Sequence, residues 1–259
     1  MAPTSLDSTT LAILCVTAFL TAILSAIVGM AGGMTLLSVM LVFLPPLEAI
    51  PLHGAIQLAS NFSRTVIQRE HARYDLLWRY GLPLLPMGAL GILVAQRIPE
   101  HALEAAIGAF VLLATWRPAW LALGAQLGAN SNARFTALGF VAGFLNVITG
   151  ATGPLVAPFF LNLGMPRQAV IGTQAGVQAL GHVVKIVLYA SFGFAFRQHL
   201  VFLGAGAACA IAGTWVGSRL LDRISERWFT RLYKTVLTAL ALLLVLGAAR
   251  GYFASGEDW

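Results

Sequence analysis

Ten apolar runs, each bounded by glycine, proline or charge, occupy most of this chain, and their lengths limit its folds more than any other feature. They fall at residues 11–28, 33–44, 47–67, 76–95 and 102–123, then at 135–149, 153–163, 168–190, 200–217 and 229–249. A helix needs about 20 mostly apolar residues to cross a hydrocarbon core of about 30 Å. Several runs reach that length, and only helices or closed barrels satisfy their backbone polar groups in lipid. The expectation is an all-α, polytopic membrane protein, with residues 1–259 forming a single transmembrane domain.

Composition agrees. Of 259 residues, 58% are hydrophobic and 10% charged, and the mean hydropathy is +0.82. Soluble domains carry about 45–50% apolar and roughly 25% charged residues, so an ordinary water-soluble enzyme is excluded. The ten acids, Asp7, Glu48, Glu70, Asp75, Glu100, Glu104, Asp222, Glu226, Glu257 and Asp258, all fall at or near the ends of apolar runs. Without a mid-membrane carboxylate, a buried acid is not expected as proton carrier, metal ligand or catalytic group. The net charge of +6 comes from basic residues scattered between the runs. Such a pattern fits loop anchoring by the positive-inside rule rather than nucleic-acid binding. Cys15 and Cys209 lie inside apolar runs, where cysteine usually packs as a small hydrophobe. No Lys or Arg precedes the first run, so it is expected to remain as a helix rather than be cleaved as a signal peptide.

The two sets of five runs match element for element. Sliding the chain by 121 positions aligns Gly29 with Gly150, Gly32 with Gly153, Pro45 with Pro166, Ile50 with Ile171, Gln57 with Gln178 and Val66 with Val187. At an offset of 122, Gly91 meets Gly213, Arg97 meets Arg219 and Glu104 meets Glu226. Residues 11–123 and 135–250 therefore read as internal repeats, a common construction for secondary transporters.

Charge placement orients the repeats. The run 33–44 spans only about 18 Å as a helix, too short to cross alone. If it merges with its predecessor, basic residues divide almost evenly between the two faces. If instead the pair forms a hairpin that enters and leaves on one face, Arg64, Arg69, Arg73, Arg79, Arg117, Arg134, Arg167, Arg219, Arg223, Arg227, Arg231 and Lys234 share a face, opposite Arg97, Arg197 and Arg250. Such a bias separates cytoplasm from exterior. The expected fold is two inverted repeats, each a helical hairpin with a Gly-rich break plus three spanning helices, with both termini periplasmic.

Two features could carry chemistry. Gly29–Gly33 (GMAGG) and Gly150–Pro154 (GATGP) break the chain at the hairpin tips. Broken helices at membrane depth line cavities, and a half-helix N-terminus offers free N–H groups to an anion. This makes Gly32, Gly33, Thr152 and Gly153 candidate substrate-binding residues, with Asn146 and Thr149 nearby as neutral donors or helix caps. The alternative is close packing between helices. The second feature is a polar stripe on the following helix: His53, Gln57, Asn61 and Arg64 in one half, and Gln174, Gln178, His182 and Lys185 in the other. Gln57, Asn61, Arg64, Gln178, His182 and Lys185 join the candidate site. Lys185 has no acid near it in sequence, and a substrate anion would supply the missing charge; snorkelling, or pairing with an acid such as Glu104, is the alternative. His53 and His182 could carry a coupling proton or act as plain hydrogen-bonding groups. Trp78, Trp116, Trp120 and Trp228 read as interfacial anchors, and the arginine row 219–231 as a surface helix on anionic lipid.

The stretches GMAGGMTLLSVM, TGATGPLVAPFFLNLGMP, AVIGTQAGVQALGHVVKIVLYASFGF and GTWVGSRL resemble the TauE/SafE family of sulfite exporters and sulfonate permeases. The resemblance covers nearly the whole chain. It implies a transporter of the bacterial inner membrane for sulfite, thiosulfate or a small organosulfonate, working by alternating access, with no enzymatic activity, cofactor or metal. Transport of a small carboxylate, or a non-transporting membrane scaffold, are the alternatives. Expected partners are the small anion, membrane lipid, a proton or Na+ as coupling ion and a second copy of the chain as a homodimer, with no nucleic acid.

Overall fold

The computed structural model describes residues 7–28, 31–122, 131–161, 165–220 and 226–255, and the description below concerns these. They are helical throughout: α1 (Ser8–Val28), α2 (Ala31–Phe43), α3 (Pro46–Ile67), α4 (Tyr74–Gly81), α5 (Leu84–Ala95) and α6 (Glu100–Trp116), then α7 (Ser131–Thr149), α8 (Gly153–Leu161), α9 (Arg167–Ser191), α10 (Leu200–Leu220) and α11 (Glu226–Ser255). Short 3₁₀ turns at Pro118–Ala122 and Phe196–His199 follow α6 and precede α10. Ser8–Ile27 and Phe196–Leu220 are long and apolar enough to cross a membrane, and α4 with α5 adds a third such stretch if taken as one bent span. Helices α3 and α9 have 22 and 25 residues but carry the polar stripes.

Proline sets several helix starts. Pro45, Pro99 and Pro166 immediately precede α3, α6 and α9 in extended conformation, where a fixed φ and a missing N–H cost a helix nothing. One proline corrects an expectation. The run 76–95 is not a single straight helix: it bends by 43° between α4 and α5, where Pro83 follows Gly81 and Leu82 and cannot donate into the ladder.

The first expected hairpin is present. A Cβ placed on Gly32 would stand 1.8 Å from the Thr21 carbonyl oxygen and 2.4 Å from Ser25 Oγ. In a continuous helix those residues would be roughly 16 Å apart along the axis, so α2 folds back against α1. Gly29 and Met30, at the tip itself, lie outside the described residues, as do Asp222, Arg223 and the acidic residues Glu257 and Asp258. The second break is explicit: α7 ends at Thr149, Gly150 takes a positive φ of 73°, and α8 begins at Gly153. Only glycine adopts that backbone freely.

Small residues set the helix crossings, as expected where lipid offers no hydrophobic drive for association. Gly213 sits on Phe19 and Ala22, and Gly217 on Ile23 and Ala26, so α10 runs parallel to α1. Gly139 meets Tyr80, Gly143 meets Leu84, and Gly91 meets Phe144, so α7 runs parallel to α4 and α5. The central pair, α3 and α9, is antiparallel: Glu48 lies 3.6 Å from His199, Gly54 faces Lys185, and Gln68 packs on Gly172. Helices α6 and α11 are antiparallel too, with Gly108 beside Ala241 and Trp116 Nε1 donating to Thr238 Oγ1 at 2.9 Å.

Exposed tryptophans stand beside cations near helix ends: Trp78 with Arg79, Trp116 with Lys234, Trp120 with Arg117 and Trp215 with Arg219, at 4.9, 5.4, 5.8 and 3.5 Å. All four distances are within cation–π range, and the placement suits an interface with lipid headgroups. The side chains of Arg227, Trp228 and Arg231 are outside the described residues.

The α1–α10 register brings together the two cysteines, which the sequence separates by almost the whole chain. Cys15 and Cys209 face each other thiol to thiol across this seam, both partly exposed and unbonded. Treatment with a membrane-permeant oxidant such as copper-phenanthroline is expected to remove both free thiols, read as a mass loss of two hydrogens within one chain. Persistence of both thiols would contradict the parallel register.

Candidate functional site

The two breaks and the two polar stripes converge on one small cavity at the centre of the bundle. Its wall consists of Gly33 and Met34 from the start of α2, His53 from α3, Asn146 from α7, Ala151, Thr152 and Gly153 at the start of α8, and Gln178 and His182 from α9. Its volume is about 10 Å³, room for roughly one water molecule. The cavity is therefore too small for any larger solute unless its walls separate.

Local sequence explains each contribution. Spacings of four along α3 and α9 set His53, Gln57 and Asn61, and Gln174, Gln178 and His182, on the faces where these helices cross. The first turns of α2 and α8 lie at the cavity, where a helix start leaves backbone N–H groups without an intrahelical partner. In α8 Pro154 has no N–H and Leu155 donates to the Thr152 carbonyl at 3.1 Å, so Gly153 is the donor that start can offer. Pro154 suits the first turn of α8.

Some of the polar groups are bonded to backbone and others are not. His53 Nε2 lies 2.8 Å from the Gly33 carbonyl oxygen; a carbonyl only accepts, so Nε2 carries the hydrogen. Asn146 Nδ2 donates to the Gly181 carbonyl at 2.9 Å. The His53 and His182 rings meet edge to face with centroids 5.8 Å apart. Gln178 Nε2, His53 Nδ1 and His182 Nδ1 are buried without a hydrogen-bond partner. Orphaned buried polar atoms are uncommon in folded proteins and call for an explanation.

Lys185 is fully buried, and its Nζ donates to the Gly150 carbonyl at 2.6 Å. Its stem crosses Gly54, where a Cβ would come within 2.9 Å of Lys185 Cδ. The ammonium neither snorkels to a surface nor pairs with Glu104; it is held at the second break, behind the cavity wall. Tyr189, one turn further on, donates to the Val147 carbonyl at 2.9 Å.

Of the ten residues expected from sequence, Gly33, Thr152, Gly153, Gln178 and His182 line the cavity. Gln57 packs its amide on the α2 start, 3.4 Å from where a Gly33 Cβ would be. Lys185 contacts the adjoining break. The other three stand elsewhere. Gly32 faces α1 and serves close packing. Arg64 donates to the Ser25 carbonyl at 2.8 Å and also bonds Asn61 Oδ1, while Asn61 Nδ2 donates to the Gln57 carbonyl at 2.9 Å. This pair ties α3 to α1 rather than facing the cavity.

Tyr80 was not expected: it is fully buried at the end of α4 and hydrogen-bonded to Thr152. The Gly81–Pro83 break beside it was the sequence signal available. Among the described residues no three of His, Cys, Asp and Glu cluster as a metal site would require.

Two broken helical elements meeting at a small polar cavity lined by no carboxylate are features of helical secondary transporters. Residues 14–244 match the family described as Sulfite exporter TauE/SafE, and the chain belongs to that family. Its members are transporters, not enzymes, and the chain is accordingly an anion transporter of sulfite-exporter type. No curated protein and no solved structure matches it.

Proposed function

We propose that the protein moves a small sulfur-containing anion, sulfite, thiosulfate or an organosulfonate, across the bacterial inner membrane by alternating access, and that the central cavity is its binding site. The observation that carries this reading is the meeting of two helix N-termini, α2 and α8, with the orphaned Gln178 Nε2 in a cavity without a carboxylate. Free N–H groups and helix dipoles favour an anion at such a point. Lys185, one bond away through Gly150, supplies the fixed positive charge. The family's description supports sulfite as the first anion to test.

Alternating access would come from two inverted repeats, residues 11–123 and 135–250. Their equivalent helices, α3 with α9 and α6 with α11, are antiparallel, as an axis in the membrane plane requires. The connections around residues 45–48, 96–103 and 192–199 together enclose a second cavity of about 630 Å³. The Arg73 backbone N–H donates to Thr173 Oγ1 at 2.9 Å at the opposite end of α3. Both groupings suit the hairpin arrangement; merging α1 with α2 and α7 with α8 would send them to opposite faces. In this topology the larger cavity is a periplasmic vestibule, with Tyr189 at its floor.

Flux of labelled sulfite, thiosulfate and sulfonates into proteoliposomes tests the proposal. Gln178→Ala removes a donor to a charged ligand, worth about 1.5–3 kcal/mol, and should weaken apparent affinity roughly 10- to 100-fold. Wild-type flux in that variant would overturn the site.

A further inference from the structure

The central cavity holds more than anion donors. His53 stands between the two breaks. Its Nε2–H is committed to the Gly33 carbonyl of α2, so in the neutral ring Nδ1 bears the lone pair. That nitrogen is buried and without a hydrogen-bond partner, while the Gly150 carbonyl of the second break neighbours the same ring. Neutral, the imidazole can tie down one tip only. With a second proton it donates from both nitrogens, to Gly33 on one side and towards Gly150 or an anion on the other.

We infer that His53 binds a proton together with the substrate anion, so that the transporter carries the two in the same direction. This rests on the cavity being the anion site. Among the described residues, the titratable or charged groups facing His53 are His182 and Lys185, both from α9. Both add positive or potentially positive charge and neither is an acid. An anion in the cavity therefore stabilises a proton on Nδ1, and that proton stabilises the anion by the same free energy, since linkage is reciprocal. The proton enters from the side open to the anion and leaves on the other side. His182 cannot replace His53 as the bridge, because no backbone carbonyl of either break accepts from its ring among the bonds described.

Thiosulfate is the probe of choice because it stays fully ionised across the neutral range, so proton movement must be carried by the protein. In proteoliposomes with a trapped pH dye and the membrane potential clamped by potassium and valinomycin, a thiosulfate gradient should move about one proton per anion in the same direction. An imposed pH gradient should in turn accumulate thiosulfate. His53→Gln keeps an amide N–H for Gly33 but cannot take up a proton. Its proton count per anion should fall to near zero, while His182→Gln should hold the wild-type ratio even where its flux drops. If His53→Gln does not fold, the wild-type pH-gradient experiment decides alone. Thiosulfate flux that is sensitive to Gln178→Ala but unaccompanied by protons overturns this inference and leaves the site standing. Coupling lost in His182→Gln but kept in His53→Gln overturns the assignment to His53. Flux indifferent to Gln178→Ala removes the site and the inference together.

Discussion

Lys185→Met should nearly abolish anion transport while leaving the protein folded. Methionine keeps the unbranched stem that lies over Gly54 and deletes only the ammonium. Burying that charge is expensive, about 2.5–3.5 kcal/mol at a membrane centre on insertion scales, and the single carbonyl of Gly150 offsets little of it. Losing the charge therefore costs the empty protein nothing it needs, and its melting temperature in detergent should be equal to or above the wild type. The bound state loses more. A hydrogen bond to a charged group is worth up to about 3 kcal/mol; acting through Gly150 rather than by contact, the lost charge should weaken anion affinity by up to roughly 150-fold. Stabilisation of the protein by added sulfite or thiosulfate should vanish with it. A variant that melts lower but transports in proportion to its folded fraction would show Lys185 to be a structural tie between α9 and the second break.

That separation matters because sequence and structure ascribe Lys185 to the anion for different reasons. In sequence it was singled out by cost: a cation deep in an apolar run with no acid nearby. In space its Nζ is not on the cavity wall but at Gly150, directly behind it, so its effect on a substrate passes through the break. The helix-spaced stripes were readable because a period of 3.6 needs no tertiary information; they put His53 on one face of α3, and Gln178 and His182 on one face of α9, and those faces meet at the cavity. The period could not say where each stripe ends. Arg64, aligned with Lys185 by the duplication, turns instead to the Ser25 carbonyl. Which of two equivalent cations reaches a break and which turns to α1 depends on how the helices pack, and no residue pattern encodes that. Tyr80 escaped notice for the same reason, since its hydrogen bond to Thr152 exists only because α4 stops at the Pro83 bend. The contact between Cys15 and Cys209 also depends on a long-range register that neither apolar run discloses.

Among the described glycines, Gly32→Ala should add the most damaging single methyl group. Glycine tips were legible in sequence, but two roles were open for each of them: a backbone that lines a cavity, or a surface that lets helices touch. The four candidates divide. Gly33, Thr152 and Gly153 border the cavity, whereas Gly32 meets α1, where a Cβ would lie 1.8 Å from the Thr21 carbonyl oxygen and 2.4 Å from Ser25 Oγ. The first of these is backbone, so no rotamer change relieves it, and α2 must move away from α1. Overpacking of this kind costs about 3 kcal/mol or more. Because α2 carries Gly33 and Met34 to the cavity wall, the same displacement opens the site. Folded yield, melting temperature and flux should all collapse together. Gly204→Ala on α10 is the control, since a Cβ there meets nothing within 4 Å and alanine favours a helix by up to about 1 kcal/mol. Its stability should match or exceed the wild type. Equal melting of the two variants would mean that α2 does not fold back on α1, and the hairpin that orients both repeats would go with it.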